Sequence, residues 1–259
     1  MTAPVLNYAL LAPILIILGG ALVGVLVEAF IGKALRATLQ LPIALASVVL
    51  SFAALWISHN DSSTKAAIGS VSIDPAGIYI QGIILILAFI GILLIADQDN
   101  FTAQASALPG SDEEAAAIAS GKQQTEVFPL TLFAIAGALL FPVATDLITL
   151  FVALEVLSLP LYLMAGLSRR RRLLSQEAAL KYFILGAFSS AIFLFGTAFL
   201  YGYTGALSFN EIAAAVGGNG ANSVFLYIGI IFVSVGLLFK VGAPVVELIE
   251  IPEKLPVFV

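Results

Sequence analysis

The stretch LFVALEVLSLPLYLMAGLSRRRR, residues 150–172, is a long apolar run with one acidic residue, Glu155, near its middle and four arginines at its end. A helix needs about 20 mainly apolar residues to cross the hydrocarbon core of a membrane. The run reaches that length. Its single carboxylate stands out, because ionisable groups inside a membrane are costly and tend to mark functional sites. This stretch therefore predicts a membrane-spanning helix that carries a functional acid.

The composition of the 259-residue chain agrees with a membrane protein. Hydrophobic residues make up 61% and charged residues 10%, with a mean hydropathy of +1.09, which is too apolar for a soluble domain of this size. The net charge of −5 offers no basic face for nucleic acid. The chain has no cysteine, and its one histidine, His59, lies in a polar loop. We therefore expect no metal, haem or other cofactor site in this chain.

Seven apolar segments are long enough to span a membrane as helices. They are residues 7–30, 36–58, 76–96, 127–145, 147–168, 178–203 and 223–243. The runs are continuous, whereas barrel strands alternate between apolar and polar residues. The sequence thus predicts an all-α fold, a polytopic transmembrane bundle of about seven helices, with an acidic loop at 97–126 on the cytoplasmic side.

Basic residues in the predicted loops lie mainly on one side. The loops at 31–36 and 97–126 and the run Arg169, Arg170, Arg171 and Arg172 hold seven lysines and arginines, whereas the opposite loops hold only Lys65. Cytoplasmic loops are enriched in these residues. We therefore expect the N-terminus outside and the arginine run in the cytoplasm, where it sets the topology and can contact a partner or anionic lipid.

Three ionisable residues fall within the predicted helices. Glu155 lies nine residues after Asp146, about 13 Å deep at ~1.5 Å per residue, so its short side chain cannot reach water along its own helix. Lys181 and Lys240 lie closer to helix ends, and either can instead extend to the interface. For Glu155 the alternative is a structural carboxyl that is protonated or hydrogen-bonded to a neighbouring helix.

Gly242 and Pro244 follow Lys240 and predict a break in the last helix. Proline has no N–H and clashes with the carbonyl four residues earlier, here that of Lys240. Broken helices at membrane depth line enclosed, wet cavities. Burial opposes charge on acids and bases, and a nearby opposite charge favours it. A Glu–Lys contact that opens and closes can thus switch protonation, which indicates a proton relay.

Other polar residues receive a structural interpretation. Glu28, Asp97 and Glu177 lie at helix ends, where we expect contact with solvent or headgroups. Tyr162, two turns after Glu155, is expected to pack within the bundle, as aromatic residues in helices generally do.

Longer motifs surround these charges: LEVLSLPLY at Glu155, EAALKYFILGAFSSAIFLFGTAFLYGYTGALSF at Lys181 and GLLFKVGA at Lys240. Over residues 127–243 the chain resembles the antiporter-like membrane subunits of proton-pumping NADH:quinone oxidoreductase (respiratory complex I), and among them the N subunits. The resemblance implies that Glu155 pairs with Lys240 in a broken helix and that Lys181 modulates the pair. Quinone reduction elsewhere in the complex would then drive protonation changes along this chain.

The resemblance also carries expectations about partners. It implies that flavin mononucleotide, iron–sulfur clusters and quinone bind to partner subunits and not to this chain. The expected partners are other membrane-arm subunits of complex I, including neighbouring antiporter-like subunits, together with lipids. The expected location is the bacterial plasma membrane, as a multi-pass protein.

The chain departs from the family after the motif FKVGA. The family continues with a sequence of the type VPFHxWxPD, whereas this chain reads PVVELIEIPEKLPVFV over residues 244–259. We therefore expect three N-terminal helices within 1–96, a partial antiporter-like repeat at 127–243 and a divergent end. Two alternatives stay open: a subunit of a cation/proton antiporter or membrane-bound hydrogenase, and a membrane scaffold that transports nothing.

Overall fold

The structure is a computed structural model that describes residues 6–57, 64–96, 111–112, 116, 125–167, 172–216 and 223–241. The chain divides into two compact units. The first contains Met1–Phe183 and Ser208–Asn210, and the second contains Ile184–Leu207 and Glu211–Val259.

Helices dominate the described residues. They are α1 (Tyr8–Phe30), α2 (Lys33–Ile57), α3 (Pro75–Ile95), α4 (Val127–Leu140), α5 (Leu147–Leu167), α6 (Arg172–Thr204), α7 (Phe209–Val216) and α8 (Ser223–Lys240). Within the described residues, α1, α2, α3, α5 and α6 contain stretches long and apolar enough to cross a membrane, and α4 and α8 are shorter apolar helices. Each of the seven predicted segments overlaps one of these helices, which confirms the predicted helical membrane class.

In the first unit, α1 packs against α2 and α4, α4 packs against α5, and α3 packs against α2 and α4. Membrane helices associate closely where small residues allow their backbones to approach. At Gly20 of α1, for example, a Cβ atom would lie 2.0 Å from the Oγ of Ser47 in α2. Gln81 of α3 is 1% exposed and its Nε2 donates to the carbonyl of Leu139 in α4, at 2.9 Å. The unit is thus held by close packing with a few buried polar links.

A short hairpin that the sequence did not predict joins α2 to α3. Strands β1 (Thr64–Ala66) and β2 (Val71–Ile73) pair antiparallel, with Thr64 opposite Ile73. The start of α3 is fixed by Asp74, whose Oδ1 accepts from the backbone N–H of Gly77 at 2.6 Å. An N-cap of this kind satisfies a backbone donor that the helix cannot pair internally.

The hairpin contacts two other loops of the first unit. Val71 forms a bridge with Ala144, and the N–H of Thr145 donates to the carbonyl of Ser70 at 3.0 Å. Asp146 in turn forms a bridge with Ser208. The three connections that precede α3, α5 and α7 therefore lie at the same end of this unit.

The second unit contains the later part of α6, α7 from Glu211 onward, and α8. A Cβ atom at Gly196 of α6 would lie 2.6 Å from the backbone nitrogen of Val233 in α8, so the two helices touch through their backbones. Phenylalanine rings stack beside this contact, with centroids 5.7 Å apart for Phe195 and Phe232. Such ring pairs stabilise packing beyond the area they bury.

Candidate functional site

Glu155 lies in the middle of α5, a helix of 21 residues. It is eight residues from the first residue of the helix and twelve from the last, or about 12 Å and 18 Å along the axis. Its side chain is half-buried, and the adjacent Ala153 and Leu154 are buried. The structure thus places the acid at the centre of a helix that is long and apolar enough to cross a membrane.

The start of α5 is fixed by Asp146. One carboxylate oxygen accepts from the backbone N–H of Thr149 at 2.7 Å, and the other accepts from the Thr149 hydroxyl at 2.7 Å. The aspartate therefore satisfies a free N–H at the helix start and places its negative charge at the positive end of the helix dipole. This cap sets where α5 begins and, with it, the height of Glu155.

The side of α5 that carries Ala153 and Leu157 lies directly against α4. A Cβ atom at Gly137 would lie 2.3 Å from the backbone nitrogen of Leu157 and 2.8 Å from the carbonyl oxygen of Ala153. No side chain fits in that space, so only glycine allows this approach. Because Leu157 is two residues from Glu155, the position of the acid depends on the fit between these two helices.

The helix is weakened just after the acid. Pro160 lies inside α5 and has no N–H to donate to the carbonyl of Val156, the residue next to Glu155. The hydroxyl of Ser158 donates to the carbonyl of Leu154 at 2.7 Å, a contact that tends to bend helices. The carbonyl of Val156 therefore lacks the backbone donor that it would have in a helix without proline.

Lys181 lies on α6 and forms an ion pair with Glu177 one turn earlier. Its Nζ is 2.6 Å from the Glu177 Oε1, and the two side chains are 68% and 58% exposed. Glu177 thus lies inside α6 with an exposed side chain, and its predicted contact with solvent or headgroups stays a prediction. Lys181 therefore lies on an open face of the chain, beside Tyr182, whose ring meets that of the buried Tyr162 edge to face at 4.5 Å.

Lys240 is the last residue of α8 and is half-buried. The helix that carries it is fixed one turn earlier, where the Ser189 hydroxyl of α6 donates to the carbonyl of Gly236 at 3.0 Å. Lys240 belongs to the second compact unit and Glu155 to the first. The helix ends immediately before Gly242 and Pro244, and these two residues lie outside the described part of the chain.

The predicted arginine run is described only at its end. Arg169, Arg170 and Arg171 lie outside the described residues, and Arg172 is the first residue of α6. Most of the acidic loop at 97–126 also lies outside them. In the part of the chain that the structure describes, no group of three or more His, Cys, Asp or Glu side chains is placed to hold a metal ion.

Glu28 is a correction to the sequence analysis, which placed it in solvent or among headgroups. Its side chain is 13% exposed. It accepts from Arg36 Nη1 at 3.1 Å, from Gln40 Nε2 at 2.8 Å and from the hydroxyl of Thr125. Gln40 is 1% exposed and also donates to the carbonyl of Gly24 at 2.8 Å. We call these four residues, Glu28, Arg36, Gln40 and Thr125, the Glu28 cluster.

The Glu28 cluster joins the end of α1, the first turns of α2 and the residues just before α4. Each of the other three side chains donates a hydrogen bond to the Glu28 carboxylate, so this one group connects the three segments. The sequence contains one sign of the Glu28 cluster: Gln40 is a polar residue among apolar residues of α2. That sign did not reveal the partner, since Thr125 is 97 residues from Glu28.

Residues 144–248 match a protein family described as NADH:quinone oxidoreductase/Mrp antiporter, TM. NADH-quinone oxidoreductase subunit N of Mycobacteroides abscessus is 47% identical over 261 aligned residues, which cover 94% of this chain and 48% of that protein. Subunit N of Beutenbergia cavernae is 48% identical over 256 residues, which cover 93% of this chain and 48% of that protein. The chain thus spans about half the length of the curated relatives it matches.

Solved structures give the same fold. Respiratory complex I from Thermus thermophilus contains a chain that is 26% identical, with a TM-score of 0.65 over 90% of this chain and 44% of that one. The Mrp complex from Dietzia contains a chain that is 15% identical, with a TM-score of 0.63 over 88% of this chain and 23% of that one, a likeness of fold alone. By these matches, the chain is similar to antiporter-like membrane subunits of NADH:quinone oxidoreductases, and to subunit N across about half of that subunit's length.

Proposed function

We propose that this chain serves in the membrane arm of a proton-pumping NADH:quinone oxidoreductase and takes part in proton translocation. The observation that carries the proposal is the half-buried Glu155 at the centre of a membrane-spanning helix, in a chain similar to subunit N over more than nine-tenths of its length. A carboxyl at this depth is costly unless it binds and releases an ion or pairs with another group.

In this proposal Glu155 and Lys240 exchange a proton, and Lys181 adjusts the exchange. Pro160 supports the entry of water near Glu155, because it has no N–H to donate to the carbonyl of Val156. Moving one proton against 100 mV requires about 2.3 kcal/mol. Making or breaking one contact between buried opposite charges supplies free energy of that size.

The energy source and the cofactors belong to other subunits in this proposal. Electrons pass through flavin mononucleotide and iron–sulfur clusters and reduce quinone in partner subunits, and conformational change carries the energy to this chain. Its neighbours are other membrane-arm subunits, including antiporter-like ones. The chain itself contributes protonatable side chains and the helices that hold them.

The experiment replaces Glu155 with Gln and, in parallel, Lys240 with Met in the assembled complex. We expect both variants to assemble and oxidise NADH but to pump fewer protons per quinone reduced, measured by acidification in inverted membrane vesicles. Glu211→Gln is the matched control, because Glu211 is an exposed carboxylate at the start of α7. It should pump like the wild type.

Normal pumping by Glu155→Gln would rule out the relay and leave a scaffold role. Normal pumping by Lys240→Met alone would mean that Lys240 only extends to the membrane interface and takes no part in the relay. The second candidate function, a subunit of a cation/proton antiporter, is favoured by the likeness of fold to the Mrp complex. The proteins that copurify distinguish the two, since flavin and iron–sulfur subunits accompany only the oxidoreductase.

We further propose that the chain lies in a bacterial plasma membrane with the hairpin end outside and the arginine run in the cytoplasm. The loop contacts at the hairpin end and the bias of basic residues support this orientation. The chain has no cysteine, so single cysteines report accessibility cleanly. In intact cells, a membrane-impermeant maleimide should label Ile68→Cys and not Leu35→Cys, two positions that are 75% and 61% exposed. The opposite pattern would invert the orientation.

A further inference from the structure

An apolar groove of about 580 Å³ runs between α2 and α3 on the outer surface of the first unit. Its floor includes Leu55, which is 6% exposed, and its rim carries Trp56 and Tyr79, which are 79% and 71% exposed. The residues that line it are all apolar or aromatic. A smaller groove of about 230 Å³ shares Phe52 and Ile86 with it and continues to Ile90.

The groove exists because Gly82 leaves room between the two helices. A Cβ atom there would meet only the Cδ2 of Leu55, at 3.9 Å. A larger side chain at position 82 would therefore project into the groove without touching a backbone. The apolar lining excludes a charged or strongly polar occupant, since its polar groups would have no partners.

The aromatic rim fixes where the groove lies in the membrane. Trp56 is next to the last residue of α2, and Tyr79 is in the second turn of α3, both close to the hairpin. Exposed Trp and Tyr of spanning helices favour the level of the lipid headgroups, with the ring in the hydrocarbon and the N–H or O–H in the polar layer. The groove thus opens at the membrane surface and runs inward.

The depth of the groove matches one leaflet. From Tyr79 to Ile90 the axis of α3 advances about 17 Å, against about 15 Å for half of a hydrocarbon core of about 30 Å. A helix of a neighbouring subunit would cross the full core and would need a complementary face along the whole of α3. A groove that opens at the lipid headgroups and ends near the midplane of the bilayer suits a single extended hydrocarbon chain.

We infer that this groove binds one acyl chain of a phospholipid from the leaflet on the hairpin side. The glycerol ester region then lies at the level of Trp56 and Tyr79, and the chain lies along Gly82 over the floor formed by Leu55. The site is separate from Glu155 and does not depend on the proposed function.

Trp56 is the only tryptophan in the chain and reports on the groove directly. The full chain, delipidated in detergent, is titrated with phosphatidylcholine brominated in the middle of its acyl chains, and tryptophan fluorescence is recorded. We expect saturable quenching at one lipid per chain. Gly82→Leu fills the groove but leaves Trp56 in place, so the lipid concentration at half-quenching should rise about tenfold or more.

Gly91→Leu is the matched control, because it makes the same change on the same helix. Position 91 is nine residues from 82, which places it on the opposite side of the helix, and a Cβ atom there meets nothing within 4 Å. It should be quenched like the wild type. Gly82→Ala, which adds one methyl group at ordinary contact distance, should fall between wild type and Gly82→Leu and covers the case in which the leucine variant does not fold.

Three results would overturn the inference. The first is quenching of Trp56 fluorescence that rises with lipid concentration without saturating. The second is the same quenching curve for wild type, Gly82→Ala and Gly82→Leu. Either result would mean that lipid surrounds Trp56 without binding in the groove. The third is Gly82→Leu that binds lipid normally but no longer copurifies with other membrane subunits, which would assign the groove to a protein helix.

Discussion

Two ion pairs in this chain use the same chemistry in different surroundings. Glu28 and Arg36 meet at 3.1 Å with side chains 13% and 23% exposed, and the pair connects different helices. Glu177 and Lys181 meet at 2.6 Å with side chains 58% and 68% exposed, and the pair lies within one helix. The shorter contact is the one with less structural consequence, because burial and the number of partners decide how much a pair stabilises.

The difference in burial and in the number of partners separates residues that stabilise the fold from residues whose contacts can change. Glu28 accepts from three side chains, and losing it would leave the guanidinium of Arg36 largely buried without its counter-charge. Lys181 has a partner on its own helix and lies where its surroundings can change. That freedom suits the modulating role proposed for Lys181, whereas the Glu28 cluster suits a fixed joint between helices.

The largest effect is expected for Glu28→Ala. The change removes three accepted hydrogen bonds and the counter-charge of Arg36, and breaking a buried pair at one end costs several kcal/mol. Because both side chains keep some exposure, we expect a loss of about 2–3 kcal/mol in the free energy of unfolding. Thermal unfolding of the full chain in detergent, followed by circular dichroism, should show a clear drop in Tm.

The double variant Glu28→Ala with Arg36→Ala is the control for this prediction. Removing both charges ends the cost of the unpaired guanidinium, so part of the lost Tm should return. If Glu28→Ala unfolded at the wild-type temperature, the Glu28 cluster would not hold α1, α2 and the start of α4 together.

The smallest effect is expected for Glu177→Ala. Exposed pairs one helical turn apart contribute little to stability, so its Tm should equal that of the wild type within error under the same conditions. A drop as large as that of Glu28→Ala would mean that the exposed pair is buried by something in the detergent-solubilised protein, and the comparison would fail.

Hydropathy was sufficient to locate the helices because membrane crossing is a property of consecutive residues. The segment predicted at 147–168 is Leu147–Leu167 in the structure, and the central position of Glu155 followed from counting along it. The segment predicted at 178–203 begins earlier, at Arg172, because the helix continues through polar residues that a hydropathy pattern does not include.

The features that the sequence did not predict depend on contacts between distant residues. The hairpin strands are three residues long, too short for an alternating pattern, and they are completed by a bridge to Ala144. Glu28 was placed wrongly for the same reason. Its position near a helix end is visible in the sequence, but the helix face on which it lies is not, and Thr125 comes 97 residues later.

The glycine at position 137 has a mechanical consequence. The residues just before α4 are held by the Glu28 cluster through Thr125, and the backbone of α4 touches that of α5 at Gly137, against Ala153 and Leu157, which precede and follow Glu155 by two residues. Because no side chain separates the two backbones there, we expect a shift of α4 to require a shift of α5. The Glu28 cluster lies at the start of α4, and Gly137 lies three residues before the last residue of that helix, so we expect a disturbance at the cluster to reach the part of α5 that carries Glu155 through packed contacts alone.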